Sequence, residues 1–563
     1  MRIARLTRAK GSRHTWCAVA AVLALVAAWA PGQERATLTV LFTSDMHANV
    51  LPFDDVRDRP TSGSVAQVAT LIARVRRESS RVVVLDGGDA IQGTPLGYYA
   101  IAAGRANGPD PTVAAMNLVG YDGAVLGNHE FNFGLDVLRR SLEQSRFPWL
   151  AANISGAKEA RLPIASEVVV KRGGVRVAVL GLTTPNIPRW ELSGHWVGLS
   201  FADPLAVAAA RIPELRKRAD VVIVVVHAGF ERDLETGAAE GSEDENFAWR
   251  LAQLDGIDLL LTGHTHRDVP PRALGKTVVA QPGRWAERVT RVDLDLGRKG
   301  RGWGVIGWHG ENVKTVGETP DPRVVSAAAE AEARVKAEFA RPLGRLEGPL
   351  KVASLPMSDD PSLDLIHAVQ LEASGAQLSL AAPLRGGWLE FPAGVVTPRL
   401  AYALYPYPNT LVVVRLTGSQ LRDVMEHAVR GWVGLDCGGG GTRLLRDPEL
   451  PPYNYDTLQG ATYFVDPSAP VGARVQGLRV AGKAVQGGDT FTLAVNSYRA
   501  AGGGGYPHLA GAPRVTEIDR PMLELLVEYF VRHGTITPAS DENWSFTVPL
   551  REAQAPRPSA AVH

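Results

Sequence analysis

Between Ala36 and about Gln281, short runs of β-branched and aliphatic residues alternate with segments of helical periodicity. The runs span 38–42, 82–85, 124–126, 168–170, 175–180, 221–226, 259–261 and 277–280; the helical segments span 64–78, 111–119, 135–143, 204–218 and 245–254. Strands separated by helices build layered domains, so this half of the chain is expected to fold as a layered α/β domain.

Side chains able to ligate a metal follow five of these runs within a few positions. They lie in Thr43-Ser44-Asp45-Met46-His47, Asp86-Gly87-Gly88-Asp89, Gly127-Asn128-His129-Glu130, His227-Ala228-Gly229 and Thr262-Gly263-His264-Thr265-His266. Asp45 and His47, like His264 and His266, are two apart and would point the same way on an extended chain. Each loop alone has an ordinary reading: a histidine bonded in a turn, or an aspartate capping a glycine turn. Together, Asp45, His47, Asp89, Asn128, His227, His264 and His266 form a set of carboxylate, imidazole and amide donors. Such a set suits two divalent cations, with Mn, Zn, Co and Mg all open.

Residues 1–33 are expected to be a secretory signal peptide, with an uncleaved anchor as the alternative. Arg2, Arg5, Arg8, Lys10 and Arg13 precede an apolar run ending in Ala28-Trp29-Ala30. Taking those five from the 60 basic residues leaves 55 against 59 acidic ones, a net charge of −4. That balance excludes bulk attraction to a nucleic-acid polymer or to an anionic membrane. Cys17 lies inside the signal and Cys437 would stand alone, which excludes a disulfide framework and a thiolate metal site.

Thr319-Pro320-Asp321-Pro322 breaks the first domain, and 324–339 reads as a solvent-faced helix, either a linker or a helix of a second domain. Beyond it, strands at 411–416, 461–465 and 490–495 and helices at 362–372, 418–429 and 520–532 predict that this second domain is α/β and carries no metal motif. The expected organisation is a signal at 1–33, a metal domain at 34–314, a connecting helix at 315–345, a second domain at 346–550 and a disordered tail at 551–563. The glycine run 438–441 is expected to be a flexible loop.

The motifs Asp-x-His, Gly-Asp, Gly-Asn-His-Glu, His-Ala-Gly and Gly-His-Thr-His, with the stretches 89–96, 127–135 and 147–153, resemble the calcineurin-like metallophosphoesterases. Within them the chain is similar to the exported 5′-nucleotidases, and more narrowly to the periplasmic 2′,3′-cyclic-nucleotide 2′-phosphodiesterase/3′-nucleotidases. The resemblance covers about residues 36–548. It implies an αββα metal domain joined by a helix to an α/β substrate-specificity domain. It also implies one metal on Asp45, His47 and His266 and a second on Asn128, His227 and His264, with Asp89 bridging the two.

Asn128 and His129 match the family's catalytic positions. Many 5′-nucleotidases carry an aspartate three residues after that histidine; here the residue is Asn132, as the cyclic-phosphodiesterase branch tends to have. The region 381–388 likewise lacks the 5′-nucleotidase branch's Asn-Gly-Gly-x-Arg stretch. The family clamps a base between two aromatic rings, a role the resemblance assigns to Tyr455 and Tyr498.

The implied activity is hydrolysis of 2′,3′-cyclic nucleotides and 3′-nucleotides to nucleoside and phosphate by water activated between two divalent ions. A 5′-nucleotidase or nucleotide-sugar hydrolase would share every ligand, and a non-catalytic nucleotide-binding protein is the remote alternative. Nucleotides are the expected partners, with no stable membrane association once the signal is cleaved. The oligomeric state is left open, a monomer being expected.

Overall fold

The computed structural model describes residues 34–61, 63–102, 108–240, 245–384, 389–436, 442–448 and 450–548. The expected signal segment, Cys437, the glycine run 438–441, residues 385–388 and the tail lie outside the described residues.

The first domain is two sheets laid face to face. One has seven strands, ordered Gly302–Lys314, Arg288–Lys299, Arg35–Thr43, Val82–Asp86, Gly123–Val125, Trp149–Leu150 and Ile164–Ala165. The other has six, ordered Asp268–Leu274, Thr277–Pro282, Leu259–Thr262, Val221–Val226, Val175–Leu182 and Glu167–Arg172. Val221, Ile223 and Val225 face the other sheet, while Val222, Val224 and Val226 face the helices outside. Fully burying one such side chain contributes roughly 1.5–3 kcal/mol, so a strand covered on both faces is apolar throughout. The helices Val65–Glu78 and Pro111–Val119 cover the outer face of the seven-stranded sheet, and Pro204–Arg218 that of the other. The layers are therefore αββα, as the resemblance implies.

Along the middle of each sheet the strands run parallel. Thr43 lies beside Asp86 and Asp86 beside Ala124 in one sheet; Leu182 lies beside Val226 and Val226 beside Thr262 in the other. Parallel neighbours end on a common edge, so the five loops with metal-ligand chemistry open on the same side.

Three differences from the sequence expectation stand out. A long hairpin, Arg288–Lys299 with Gly302–Lys314, pairs antiparallel with Arg35–Thr43 where no element was expected. Gly297, Gly304, Gly307 and Gly310 dilute its strand signal. The helix expected at 245–254 is reduced to Ala248–Ala252, leaving Glu245 free of helical backbone. The connecting helix, Pro322–Phe339, is not solvent-faced all round: Val324, Ala328, Ala331, Val335 and Phe339 form a buried stripe, and the helix packs on Val65–Glu78 and Pro111–Val119.

The second domain is built on a five-stranded sheet ordered Thr457–Gln459, Leu378–Ala381, Thr490–Asn496, Thr410–Thr417 and Arg514–Pro521. Its helices Pro361–Ser374 and Met522–His533 share one apolar cluster with the first domain, while Gly418–Ala428 covers a separate core. Tyr402 Oη donates to the Gly93 carbonyl at 3.0 Å, and Tyr98 Oη to Glu524 at 3.2 Å, across the junction. No helix among the described residues is long and apolar enough to cross a membrane.

Candidate metal centre

Asp45, His47, Asp89, His264 and His266 all have left-handed backbone, with φ between +50° and +72°. The paired motifs are thus not extended, as their two-residue spacing suggested. A non-glycine residue pays conformational energy there, of order 1–3 kcal/mol each, and such residues cluster at functional sites. Of the thirteen non-glycine residues with left-handed backbone among the described residues, five are expected donors.

The structure brings all seven together. Ligating atoms of Asp45, His47 and His266 lie within 4.8 Å of one another, as do those of Asp89, His227 and His264, and those of His47, Asp89 and His129. Asn128 Oδ1 is 3.2 Å from His227 Nε2 and 3.1 Å from His264 Nδ1. His47 Nε2 and His266 Nε2 are 2.9 Å apart, and His227 Nε2 is 3.1 Å from Asp89 Oδ2.

Which ring nitrogen can take a cation depends on the bond the other makes. Nδ1 of His227 donates to the Gly87 carbonyl at 2.7 Å and Nδ1 of His47 to the Gln92 carbonyl at 2.9 Å, leaving Nε2 of each for a cation. His264 is reversed: Nε2 donates to Glu245 at 2.8 Å, so Nδ1 faces the cluster. The His264 ring is also stacked on Trp190, centroids 5.3 Å apart. Among the described residues no thiolate joins the cluster, and the carboxylate, imidazole and amide-oxygen donors fit hard or borderline divalent ions.

Glu130, to which sequence reasoning gave no role, supports the cluster from below. Its fully buried carboxylate accepts from the backbone N–H of Asp89, Ala90 and Gly127 at 2.6–2.8 Å, tying two ligand loops together. Space there is tight: a Cβ on Gly127 would lie 2.1 Å from Asp89 Oδ1, and one on Gly263 2.2 Å from Ser44 Oγ. Only glycine admits the ligands at those two positions.

Burial pushes Asp45 up to about 6 and His47 down to about 4, so the His47 ring is neutral, as a ligand must be. Burial also disfavours charge on Asp89 and His227. Their mutual attraction outweighs it, holding Asp89 well below the usual carboxylate range and raising His227 to about 10. A cation in the cluster would displace that proton.

His129 stands at the rim. Its backbone N–H donates to Asp89 Oδ1 at 2.8 Å, and its Nε2 lies 3.9 Å from Asp89 Oδ2. Its Nδ1 lies 2.6 Å from Asn132 Oδ1, and Asn132 Nδ2 donates to Glu191 at 2.5 Å.

The expected aromatic pair needs correction. Tyr455 is fully buried, its ring 4.7 Å from Trp432 and its hydroxyl donating to the Gly431 carbonyl at 3.2 Å. A core ring filled on both sides has no face for a base. Tyr453, two residues earlier, is 38% exposed. Burial and the neighbouring hydroxyls of Tyr498 and Tyr407 raise its own hydroxyl above the ordinary range, and the Glu245 carboxylate adds to this. The short helix Ser497–Ala500, which carries Tyr498, packs against Ile187–Trp190, whose Trp190 stacks on His264, so Tyr498 sits beside the cluster; Arg499 of the same helix donates to the Tyr453 carbonyl.

The sequence reading also missed what holds them. Arg499 is buried against Asp456 at 2.8 Å, donates to the Tyr453 carbonyl, and lies 5.3 Å from the centre of the Tyr498 ring. Tyr506 Oη donates to the same carboxylate.

Residues 38–268 match the calcineurin-like phosphoesterase family, and residues 342–511 the 5′-nucleotidase C-terminal domain. A Yersinia enterocolitica 2′,3′-cyclic-nucleotide 2′-phosphodiesterase/3′-nucleotidase is 28% identical over 90% of this chain and 87% of that protein. A trifunctional nucleotide phosphoesterase of Bacillus subtilis is 28% identical over 90% of this chain, which spans only 39% of that longer protein. The crystal structure of a Staphylococcus aureus protein assigned provisionally as a 5′-nucleotidase superposes with a TM-score of 0.80 at 27% identity, covering 91% of this chain and 100% of that one. The chain therefore belongs to the calcineurin-like metallophosphoesterases of the 5′-nucleotidase family, two-domain hydrolases of phosphoric esters.

Proposed function

We propose that this chain is an exported, metal-dependent nucleotide phosphohydrolase acting on 2′,3′-cyclic nucleotides and 3′-nucleotides. The observation that carries the reading is the convergence of seven oxygen and nitrogen donors beside the exposed Tyr453 and the half-buried Tyr498. The likeness to a relative named for that activity supports the choice of ester.

In this reading Asp45, His47 and His266 hold one divalent ion, Asn128, His227 and His264 a second, and Asp89 both. Ions bound there would neutralise phosphoryl oxygens and make a shared water acidic enough to attack phosphorus near neutral pH. His129, fixed to Asp89 through its backbone, presents Nε2 to the leaving sugar oxygen. The ring, carrying hydrogen on both nitrogens, gives up its Nε2 proton there as the phosphorus–oxygen bond breaks and is left with hydrogen on Nδ1, which Asn132 Oδ1 accepts; the proton shed by the attacking water then reprotonates Nε2. Glu130 keeps the Asp89 and Asn128 loops in register. Tyr453 and Tyr498 hold the base, with Arg499 fixing their spacing. Residues 1–33 direct export, which N-terminal sequencing of secreted protein checks.

Initial rates on 2′,3′-cAMP, 3′-AMP and 5′-AMP with added Mn, Zn, Co or Mg test the reading. Faster turnover of the first two is expected. Preference for 5′-AMP would assign the chain to the 5′-nucleotidases instead. Inertness to all three and to bis(p-nitrophenyl) phosphate would leave a binding protein.

A further inference from the structure

A carboxylate reaches the imidazole of His129 through an amide. His129 Nδ1 is 2.6 Å from Asn132 Oδ1, Asn132 Nδ2 is 2.5 Å from Glu191 Oε1, and Glu191 Oε2 is 3.0 Å from His195 Nδ1. Glu191 comes directly after the short helix Ile187–Trp190, whose last residue stacks on His264. The three contacts thus join His129 to the segment that covers the metal cluster.

The direction of these bonds is set by what each group can do. A carboxylate only accepts, so the end of Asn132 that faces Glu191 is its NH2 and the end that faces His129 is its oxygen. An amide oxygen also only accepts, so Nδ1 of His129 keeps its hydrogen and Nε2 is the atom presented to the cluster. Without Glu191 the amide is free to turn over and offer its NH2 to Nδ1, which removes the acceptor the ring needs while it carries hydrogen on both nitrogens, the form that can give one from Nε2 to the leaving oxygen. His195, donating to the second oxygen of Glu191, stops the carboxylate itself from swinging away.

We infer that Glu191 is a positioning residue for the reaction, setting the tautomer and orientation of His129 through Asn132. It stands in for a carboxylate in direct contact with the imidazole. The inference rests on the proposed role of His129 at the leaving oxygen.

The test compares Glu191→Leu, Glu191→Gln, Asn132→Asp, the double variant Asn132→Asp/Glu191→Gln, and His129→Ala. Two substrates are used with each: 3′-AMP, whose sugar oxygen leaves poorly without a proton, and bis(p-nitrophenyl) phosphate, whose leaving group needs none. Glu191→Leu is expected to lower kcat on 3′-AMP by about 10–100-fold, the usual cost of removing such a supporting partner. KM and metal content should hold, and the loss on the nitrophenyl ester should be at least about tenfold smaller. Glu191→Gln keeps an acceptor for Asn132 and should retain most of the activity. Asn132→Asp sets two carboxylates against each other and should lose activity that the double variant recovers, since Gln can donate to Asp.

Equal losses on both substrates, or failure of the double variant to recover, would overturn the inference by making Glu191 a structural residue only. Should Glu191→Leu not fold, the Asn132→Asp and double variants decide alone. Glu191→Leu at full activity beside an impaired His129→Ala overturns the relay and spares the role of His129. A fully active His129→Ala removes both.

Discussion

The first-domain side of the site holds its functional groups by backbone geometry, whereas the second-domain side holds them by one buried ion pair. Five of the proposed metal ligands are held in left-handed conformations, and the Glu130 carboxylate ties the Asp89 loop to the Asn128 loop. Opposite them, Tyr453 and Tyr498 depend on Arg499, whose guanidinium meets Asp456, the Tyr453 carbonyl and the Tyr498 ring. The difference matches the proposed task. Metal ligands must be placed to within a few tenths of an ångström, which strained, glycine-packed loops supply. A base needs only a plane at the right height, which one ring beside Arg499 and a second whose backbone carbonyl Arg499 holds can offer.

Asp89→Ala should separate the two sides most sharply. Both proposed cations lose a ligand, so bound metal measured by mass spectrometry should vanish and turnover fall by more than about 10³-fold. The second domain's unfolding should not change. Retained metal at full stoichiometry would contradict Asp89 as the shared ligand.

Arg499→Met is the mirror experiment. Removing one partner of a buried pair strands the other and costs about 3–5 kcal/mol. The second domain should unfold at lower urea and KM for nucleotides should rise, with metal content unchanged. Loss of metal in this variant would mean that the two sides are not independent.

Tyr453→Ala should raise KM for 3′-AMP by roughly 5–150-fold, the equivalent of about 1–3 kcal/mol of lost stacking, and leave stability nearly untouched. Tyr455→Ala should do the reverse, costing about 3–5 kcal/mol of stability through the cavity beside Trp432. If Tyr455→Ala alone raised KM in a stable protein, the corrected pair would be wrong.

The smallest effect at neutral pH concerns His367, fully buried between Ser379 and Thr457 and pushed down to about 3 by burial. Folded, it stays neutral; unfolded, it takes a proton below about 6.5. Its contribution is therefore complete above pH 6.5 and is lost as pH falls from there toward 3. His367→Gln should flatten the decline of the second domain's urea midpoint over that window. An unchanged slope would show that His367 does not drive it.

The convergence of the proposed metal ligands was legible in the sequence because their chemistry is local. Asp and His directly after apolar runs mark strand ends whatever the rest of the chain does, and parallel strands bring those ends to one edge. The left-handed backbone at Asp45 and His47 was not legible, since a spacing of two fits an extended chain equally well. The second-domain side was harder for a physical reason: Tyr453 and Tyr455 are the same residue type two positions apart, and only the tertiary contact with Trp432 makes one of them core. Asn132 was visible as a departure from an aspartate, but its partner Glu191 lies 59 residues away and could not be paired with it from the sequence. The long hairpin after Arg288 went unread because its glycines hide the alternation of Val292, Leu294 and Leu296.

Anomalous difference density from crystals soaked in Mn²⁺ tests the centre of this description most directly. Two peaks are expected, one beside Asp45, His47 and His266 and one beside Asn128, His227 and His264, with an Asp89 oxygen in contact with both. A single peak away from Asp89, or manganese bound only elsewhere on the chain, would contradict it.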